Sequence, residues 1–503
     1  MAAIGIDYGT SNSEVVFFDG EKHQFIKLDP DLDAANKIRS SVFIYYEDDL
    51  PLPPVGIIEA KVAQIKRAIN DQIEKAKQGY YEASDPREQR IYSEKIDDFR
   101  GQLHNLPALQ RKAIQLLLKD MTVQDLSLQQ LVETGKFAFG EEGFKRYLKM
   151  PDKGRLIYSP KNFLGATLIA GQQQAFVGII AKQLEFFRLS AEKQLQTTVD
   201  TAVIGRPVKF HGTRGDAGNN QAIDIMTQAA QKAGFSKVEF LEEPIAAAYQ
   251  IERTLEKPTN VLVVDIGGGT TDVCCIKLSP QKRENLDRQQ DVLAVTGTRL
   301  GGMECDKNLI VKSIAPTMGQ ELLTHSGLPI PPTYFSDMCA VDDISKLNRF
   351  FSEDYGLEIA QTMSITKDPR LLERLLVVQE QKLSARLVNS SRLAKELLSS
   401  KDEVTLPLHY IEPDYDVNIT LTDLNRSMQT WMRRVKRLVT QCLDNSSEPP
   451  EMLFITGGMS LSPIVRKELQ EVMLPHLPVM QGDAFNSVCE GLAIQASKLA
   501  KTN

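Results

Sequence analysis

The stretch VLVVDIGGGTTDVCCIKLS, residues 261–279, decides the fold: an apolar run, an aspartate, a glycine turn and a second apolar run. Residues 2–20, AAIGIDYGTSNSEVVFFDG, repeat the same order. Each stretch predicts a strand, a tight turn and a second strand, because apolar runs bounded by turn residues are typical of buried strands. Asp7 and Asp265 lie 258 positions apart in a chain of 503 residues. The repeat therefore predicts two lobes that each open with the same hairpin.

The composition is that of an ordinary globular protein. The chain has 59 Lys and Arg against 66 Asp and Glu, a formal charge of −7, with 42% hydrophobic residues. Net negative charge argues against nucleic acid as the main partner, because phosphate binding needs a basic surface. No segment approaches the ~20 apolar residues of a membrane helix, and the cysteines form no CxxC pair. We expect a cytoplasmic protein with reduced thiols and no membrane association.

Between the two hairpins lies a segment with helical character, residues 57–134. Apolar residues there recur every three or four positions, which predicts one face of an amphipathic helix: Val62, Ile65, Ile69 and Ile73. A second helix is predicted before Pro107 and a third from there to about Lys119. We interpret the charged faces as solvated, with a docking helix for a partner as the alternative.

Elsewhere strands alternate with helices, which indicates the α/β class. Further helices are predicted at residues 220–234, 384–399 and 421–443, and a strand at 451–456. We place lobe I at residues 1–257, including the helical insertion, and lobe II at residues 258–503.

The turns of the two hairpins are suited to bind phosphate. Glycines let backbone N–H groups approach a phosphate closely, and hydroxyl groups can donate to its oxygens. The residues that provide both are Gly9, Thr10, Ser11, Gly267, Gly268, Gly269 and Thr270. Asp7 and Asp265 would repel phosphate unless a cation intervened, so Mg²⁺ bound through water is predicted. Neither a Walker-type loop nor a dinucleotide fingerprint occurs, and either turn alone is equally interpreted as an ordinary β-turn.

A set of motifs follows in an order that resembles a known family. The motifs are IGIDYGTSNS (4–13), SPKNFLGA (159–166), IGRPV (204–208), LEEPIAAA (241–248), DIGGGTTD (265–272), RLGGMECD (299–306) and ITGGMS (455–460). This order resembles the nucleotide-binding domain of DnaK-type heat-shock chaperones, and within that family it is most similar to the short YegD-like branch. The resemblance runs from Ala2 to about Ala496. It implies a two-lobed actin-like ATPase fold with duplicated ribonuclease H-like lobes.

Carried over residue by residue, the resemblance implies a role for each motif. The phosphate turns match at Gly9, Thr10, Ser11, Asn12, Gly267, Gly268, Gly269 and Thr270. Asp7 and Asp265 match the carboxylates that hold hydrated Mg²⁺. Lys161 matches the lysine that reaches the γ-phosphate and the attacking water, where a fixed positive charge stabilises the transition state. Glu243 and Asp272, with Asp265, match the carboxylates near the hydrolytic water, which orient it or accept its proton.

Each of these residues also has a plainer interpretation. Lys161 by itself would be a surface lysine, and Asp272 would simply end its turn. Glu243 with Pro244 is a helix N-terminus, because proline favours the first helical position. For Glu243 both interpretations hold together, since the start of the helix would aim its carboxylate.

The adenosine side departs from the family pattern. The positions that fit are Lys395, Ser399, Gly457 and Gly458. Arg392 stands where the family has an acidic residue and Glu396 where it has an arginine. Met459 and Leu461 replace a serine and an arginine. We therefore expect altered contacts to the base.

The resemblance implies ATP and ADP as ligands, Mg²⁺ as cofactor, and slow ATP hydrolysis in a cleft between the lobes. Lobe closure would act as a switch for a protein client or co-chaperone in a stress response. The sequence ends soon after Gly491, so no peptide-binding domain is expected. The alternatives are a small-molecule kinase of the same superfamily, an actin-like filament or scaffold protein, and a nucleotide-binding pseudoenzyme.

Overall fold

The computed structural model describes residues 2–29, 36–47, 54–83, 85–120, 126–210, 214–480 and 485–501. The strands up to residue 257 are β1 (Ala2–Asp7), β2 (Asn12–Phe18), β3 (His23–Phe25), β4 (Lys37–Arg39), β5 (Val42–Tyr45), β6 (Lys136–Phe139), β7 (Gly154–Ile157), β8 (Val199–Arg206) and β9 (Lys237–Glu242). The helices are α1 (Val55–Glu82), α2 (Pro86–His104), α3 (Leu106–Asp120), α4 (Leu128–Thr134), α5 (Gly140–Lys149), α6 (Ala170–Leu195), α7 (Gly215–Lys232) and α8 (Glu243–Glu252).

The second half continues the alternation of strands and helices. Its strands are β10 (Thr259–Ile266), β11 (Thr271–Leu278), β12 (Val292–Thr298), β13 (Glu403–Pro407), β14 (Asp416–Thr420) and β15 (Met452–Thr456). Its helices are α9 (Gly302–Leu309), α10 (Pro332–Met338), α11 (Ile344–Phe350), α12 (Glu353–Ser364), α13 (Arg370–Glu380), α14 (Ser384–Leu397), α15 (Leu421–Asn445), α16 (Pro463–Arg466) and α17 (Ser487–Lys501). Among the helices described, none is both long and apolar enough to cross a bilayer.

Both predicted hairpins are present, and they occupy equivalent places in two sheets. β1 pairs antiparallel with β2, with Asp7 opposite Glu14, and β10 pairs antiparallel with β11, with Asp265 opposite Asp272. The lobe I sheet has the order β3-β2-β1-β8-β9, with β4 also on β2, and the lobe II sheet has the order β12-β11-β10-β15. Each aspartate thus lies at the carboxyl end of a central strand, where α/β sheets bind ligands.

Helices α8 and α17 pack against each other between the two sheets. A Cβ added at Gly491 would lie 1.7 Å from the carbonyl oxygen of Ala246, so the helices cross without a side chain between them. On its other side α17 lies against β1, where a Cβ on Gly5 would be 2.3 Å from the backbone nitrogen of Ala493. This contact forms one apolar core with both sheets, which includes Val203, Val261, Val263, Phe454, Leu492 and Ala496.

Residues 44–136 with 152–155 form a compact unit separate from the rest of the described chain. The periodic positions predicted from the sequence are the buried face of α1, and they pack with Ile96 and Leu109. Helix α7 begins at Gly215, five residues before the predicted start, because the polar run up to Asn220 is helical rather than a loop. It ends at Lys232, and Gly234, the predicted stop, follows two residues later with a left-handed φ of +96°.

Candidate functional site

A cavity of about 570 Å³ opens at the carboxyl ends of β1 and β10, within the usual range for ligand pockets. Most predicted site residues line it: Asp7, Gly9, Thr10, Ser11, Asn12, Lys161, Glu243, Gly267, Gly268, Thr270, Lys395, Ser399, Gly457 and Gly458. Asp265, Asp272 and Gly269 are not lining residues. Asp265 and Asp272 are buried, with exposures of 5% and 1%.

The two glycine-containing turns pack directly against each other. A Cβ on Gly268 would lie 2.0 Å from Ser11 Oγ, and one on Gly269 would lie 2.4 Å from Thr10 Oγ1. These distances are far shorter than van der Waals contact, so the approach requires glycine. The absence of side chains also leaves backbone N–H groups accessible to a phosphate.

The start of α9 holds the second turn in place. Gly302 donates its backbone N–H to the carbonyl of Gly267 at 3.0 Å, and Met303 donates to Gly268 at 2.8 Å. The turn itself is closed by the N–H of Gly267, which donates to the carbonyl of Thr270 at 3.0 Å. The RLGGMECD motif therefore supports the DIGGGTTD turn through its backbone.

Gly457 brings the end of β15 against Asp265. Its φ is +81°, a left-handed conformation that favours glycine. A Cβ there would lie 2.5 Å from Asp265 Oδ1. The Gly457-Gly458 turn thus follows a strand that pairs in parallel with β10, and both strands end at the same edge.

Lys161 and Glu243 form a buried ion pair beside the aspartates. Glu243 is placed by an immediate change from β9 to α8, and its carboxylate lies at the positive end of that helix. Asp272 accepts a hydrogen bond from the backbone N–H of Val208, in the IGRPV motif, at 2.9 Å. Together with Asp7, these residues bring five sequence motifs to this cluster.

Burial governs the electrostatics of the cluster. It raises the pKa of Asp7 to about 7, with the charge of Glu243 adding to the shift. Burial and Glu243 likewise raise the pKa of Asp272 to about 8 and that of Asp265 well above its ordinary range. Burial alone would lower the pKa of Lys161, but the charges of Glu243 and Asp7 outweigh it and raise that pKa.

The donor set fits a hydrated Mg²⁺ and a polyphosphate. The carboxyl groups of the cluster outnumber its ammonium group, so a cation would relieve their mutual repulsion. Carboxylate oxygens are ligands that Mg²⁺ prefers, with water completing its shell. The glycines at 268 and 269 let the second turn approach Ser11 and Thr10 of the first turn. The residues that would hold the ion are Asp7 and Asp265.

On the adenosine side, the departures from the family pattern pair with each other. Arg392 Nη1 lies 2.5 Å from Glu396 Oε1, one turn away on α14. Lys395 Nζ lies 2.7 Å from Asp306 Oδ1 and donates to the carbonyl of Gly302 at 3.2 Å. Lys395 therefore ties α14 to α9. Asp306 was not singled out from the sequence, although it ends the RLGGMECD motif.

Arg39 lines the cavity and links β4 to α14. It donates a hydrogen bond to Asn389 Oδ1 on α14. Its Nη1 lies 3.4 Å from Glu141 Oε2, and its guanidinium stacks 4.1 Å from the ring centre of Phe144. Arg392 donates to the same Asn389 oxygen at 3.2 Å. No sequence signal pointed to Arg39 or Asn389, because neither lies in a recognisable motif.

Comparison with known proteins points to one family. A family model described as Hsp70 protein matches residues 162–321 of the chain. Chaperone protein DnaK of Thermosipho africanus (strain TCF52B) is 27% identical over 385 residues, which cover 73% of this chain and 52% of that protein. Chaperone protein dnaK of Cyanophora paradoxa is 24% identical over 332 residues, 64% of this chain and 43% of that protein.

A third relative, Chaperone protein DnaK of Ureaplasma urealyticum serovar 10, is 34% identical over 150 residues, 29% of this chain and 22% of that protein. The chain spans about half the length of these curated relatives, or less. The YegD-like branch stays a prediction. The motifs, the fold and these relatives agree: the chain is similar to proteins of the heat shock protein 70 family and has a two-lobed actin-like ATPase fold.

Proposed function

We propose that the chain binds ATP with Mg²⁺ in this cavity and hydrolyses it slowly to ADP and phosphate. The observation that carries the proposal is the position of the buried Lys161–Glu243 pair beside two phosphate turns that touch each other. Burial of such a pair adds little stability, because the desolvation of two charges offsets most of their attraction. Its presence therefore favours a functional role.

The residues divide the chemistry among them. Backbone N–H groups of the turns at Gly9–Asn12 and Gly267–Thr270 bind the phosphates. When bound, Mg²⁺ neutralises phosphate charge, and Asp7 and Asp265 would hold it. Lys161 supplies a preorganised positive charge as charge shifts over the γ-phosphoryl group. Glu243 and Asp272 orient the attacking water or accept its proton.

Hydrolysis would act as a switch in a chaperone-like protein of the cytoplasm. Glu243 begins α8, and α8 crosses α17 between the sheets of both lobes. Helix α8 therefore links a change of charge at the γ-phosphate to the contact between α8 and α17. A protein client or co-chaperone would read the resulting closure.

Calorimetry with ATP and ADP, with and without Mg²⁺, tests the proposal together with a hydrolysis assay. We expect Mg²⁺-dependent binding and release of phosphate to water. Asp265→Asn should weaken binding of the Mg²⁺ complex and slow turnover, whereas Asp416→Asn, an exposed aspartate of β14, should do neither. Wild-type affinity and turnover in Asp265→Asn would contradict the assignment.

The other readings of the fold are outcomes of the same assays. Transfer of phosphate to an added metabolite would indicate a small-molecule kinase. Binding without any turnover would indicate a pseudoenzyme. Sedimentation that depends on ATP and on protein concentration would indicate a filament-forming protein.

A further inference from the structure

The segment that carries Lys161 is tied to the first phosphate turn on both sides of the lysine. Ser159, which precedes the 3₁₀ turn Pro160–Phe163, donates its hydroxyl to the carbonyl of Thr10 at 2.6 Å and makes no capping bond to its own turn. Asn162 Oδ1 accepts a hydrogen bond from Thr10 Oγ1 at 3.3 Å. Thr10 is thus held by the residues two before and one after Lys161.

Asn162 also lies against the second phosphate turn, which belongs to lobe II. A Cβ on Gly269 would lie 2.7 Å from Asn162 Oδ1 and 2.4 Å from Thr10 Oγ1. The amide Nδ2 of Asn162 points to Met303 Sδ at 3.9 Å, and Met303 itself donates to the carbonyl of Gly268. One buried side chain, 6% exposed, therefore touches the phosphate-binding parts of both lobes.

A neutral side chain suits this position. A lysine has a flexible stem, and its charge helps a reaction only where the protein holds it before the reaction begins. Asn162 can fix the backbone of Lys161 without adding charge to a cluster that already contains Asp7, Glu243 and Asp272. A thioether is a weak acceptor, so the Met303 contact supplies shape more than energy.

We propose that Asn162 is a positioning residue for ATP hydrolysis. It sets Lys161 against the first phosphate turn and makes this placement depend on contact with Gly269 and Met303 of lobe II. Closure of the lobes and alignment of Lys161 then become one event. The inference rests on the proposed ATPase function. If Asn162 were merely structural, its replacement would instead lower the stability of the protein and weaken the binding of ATP and of ADP equally.

Single-turnover hydrolysis with prebound ATP separates the two roles. We expect Asn162→Ala to lower the rate by roughly 10- to 100-fold, the scale expected when a reacting group is misplaced by about 1 Å. Affinity for ADP should stay within about three-fold, because the backbone N–H groups are unchanged. In a Lys161→Ala background, Asn162→Ala should lower the rate by less than about a further two-fold, since the residue that it positions is gone.

Two further variants keep the test decisive. In Asn162→Ser the hydroxyl is too short to reach Thr10. This variant should lower the rate as Asn162→Ala does, while leaving a smaller cavity than alanine. Asn260→Ala is the matched control: Asn260 is also 6% exposed, but it donates to Glu448 and to the carbonyl of Pro449 at the opposite end of β10. It should lower the melting temperature without changing the rate.

Three results would overturn the proposal. They are a wild-type rate in Asn162→Ala, a full additional loss in the Lys161→Ala background, and failure of both Asn162 variants to fold, which would make the residue structural. Absence of hydrolysis in the wild-type protein is a different outcome, because it would remove the proposed function itself.

Discussion

Lys161 Nζ and Glu243 Oε1 form an ion pair between segments 82 residues apart, and both side chains are almost fully buried. In this arrangement the carboxylate of Glu243 is already paired with a cation. A water molecule that contacts Glu243 therefore also lies close to Lys161. The pair also explains why Lys161 stays charged despite burial, since the neighbouring carboxylates raise its pKa. The hydrolytic centre is therefore one coupled unit of lysine and carboxylates.

Lys161→Ala should separate chemistry from binding. We expect ADP affinity within about three-fold of wild type, because backbone N–H groups hold the phosphates. The single-turnover rate should fall by roughly 10²–10³, the scale for loss of one preorganised electrostatic contact. Lys182→Ala, an exposed lysine on α6, is the control and should leave the rate unchanged. A Lys161→Ala rate within about two-fold of wild type would identify Lys161 as merely structural.

Gly269→Ala should keep the two phosphate turns apart. The new Cβ would meet Thr10 Oγ1 at 2.4 Å, so the turns must separate by about 1 Å to restore van der Waals contact. We expect affinity for ATP to fall by at least about ten-fold, because both turns no longer reach the phosphates together. Calorimetry measures this loss.

Gly101→Ala is the control for that substitution. No atom lies within 4 Å of a Cβ at Gly101, which is in the last turn of α2. Alanine there should stabilise the helix by about 1 kcal/mol and leave nucleotide binding unchanged. Equal ATP affinity in Gly269→Ala and wild type would show that contact between the turns is not needed for binding.

The metal-free and nucleotide-free protein should lose stability as the pH rises. Burial raises the pKa of Asp272 from 3.8 to about 8 in the folded state. The folded protein therefore holds a proton that the unfolded chain has released. The stabilisation from this group is complete below pH 3.8 and is lost as the pH rises to about 8.

Urea unfolding of wild type and Asp272→Asn between pH 5.5 and 8.5 measures this effect. The amide keeps the oxygen that accepts from Val208 but does not titrate, so the variant should gain stability relative to wild type as the pH rises. Asp416→Asn, on the exposed side of β14, should follow the wild-type curve. Parallel curves for wild type and Asp272→Asn would contradict the raised pKa.

Arg39→Ala should speed the release of ADP. The guanidinium of Arg39, which lines the cavity, joins β4 to Asn389 of α14. Its loss removes a charge-assisted hydrogen bond of about 1.5–3 kcal/mol, so we expect dissociation to accelerate by roughly 10- to 150-fold. Stopped-flow release of a fluorescent ADP analogue measures the rate.

Arg90→Ala is the control, because Arg90 is an exposed residue of α2 that pairs with Glu94 along its own helix. It should release ADP at the wild-type rate. If Arg39→Ala also releases ADP at that rate, the contact with Asn389 does not limit the opening of the cleft.

Several parts of the site followed from the sequence because they depend on short-range rules. The two hairpins are encoded by apolar runs and turn residues, and both are confirmed with Asp7 and Asp265 at their strand ends. The buried face of α1 followed from periodicity in the same way. The start of α7 was predicted too late, because a polar segment can begin a helix as readily as it can form a loop.

The sequence by itself determined the two repeated hairpins, the glycines of both turns and the order of the motifs, since backbone preferences act over a few residues. Only the tertiary structure decided which side chains meet. It paired Lys161 with Glu243, placed Asn162 between the turns, and joined Arg39 to Asn389, which is 350 residues away. Such contacts arise from packing of distant elements, and the local chemistry of a segment does not specify its distant neighbours.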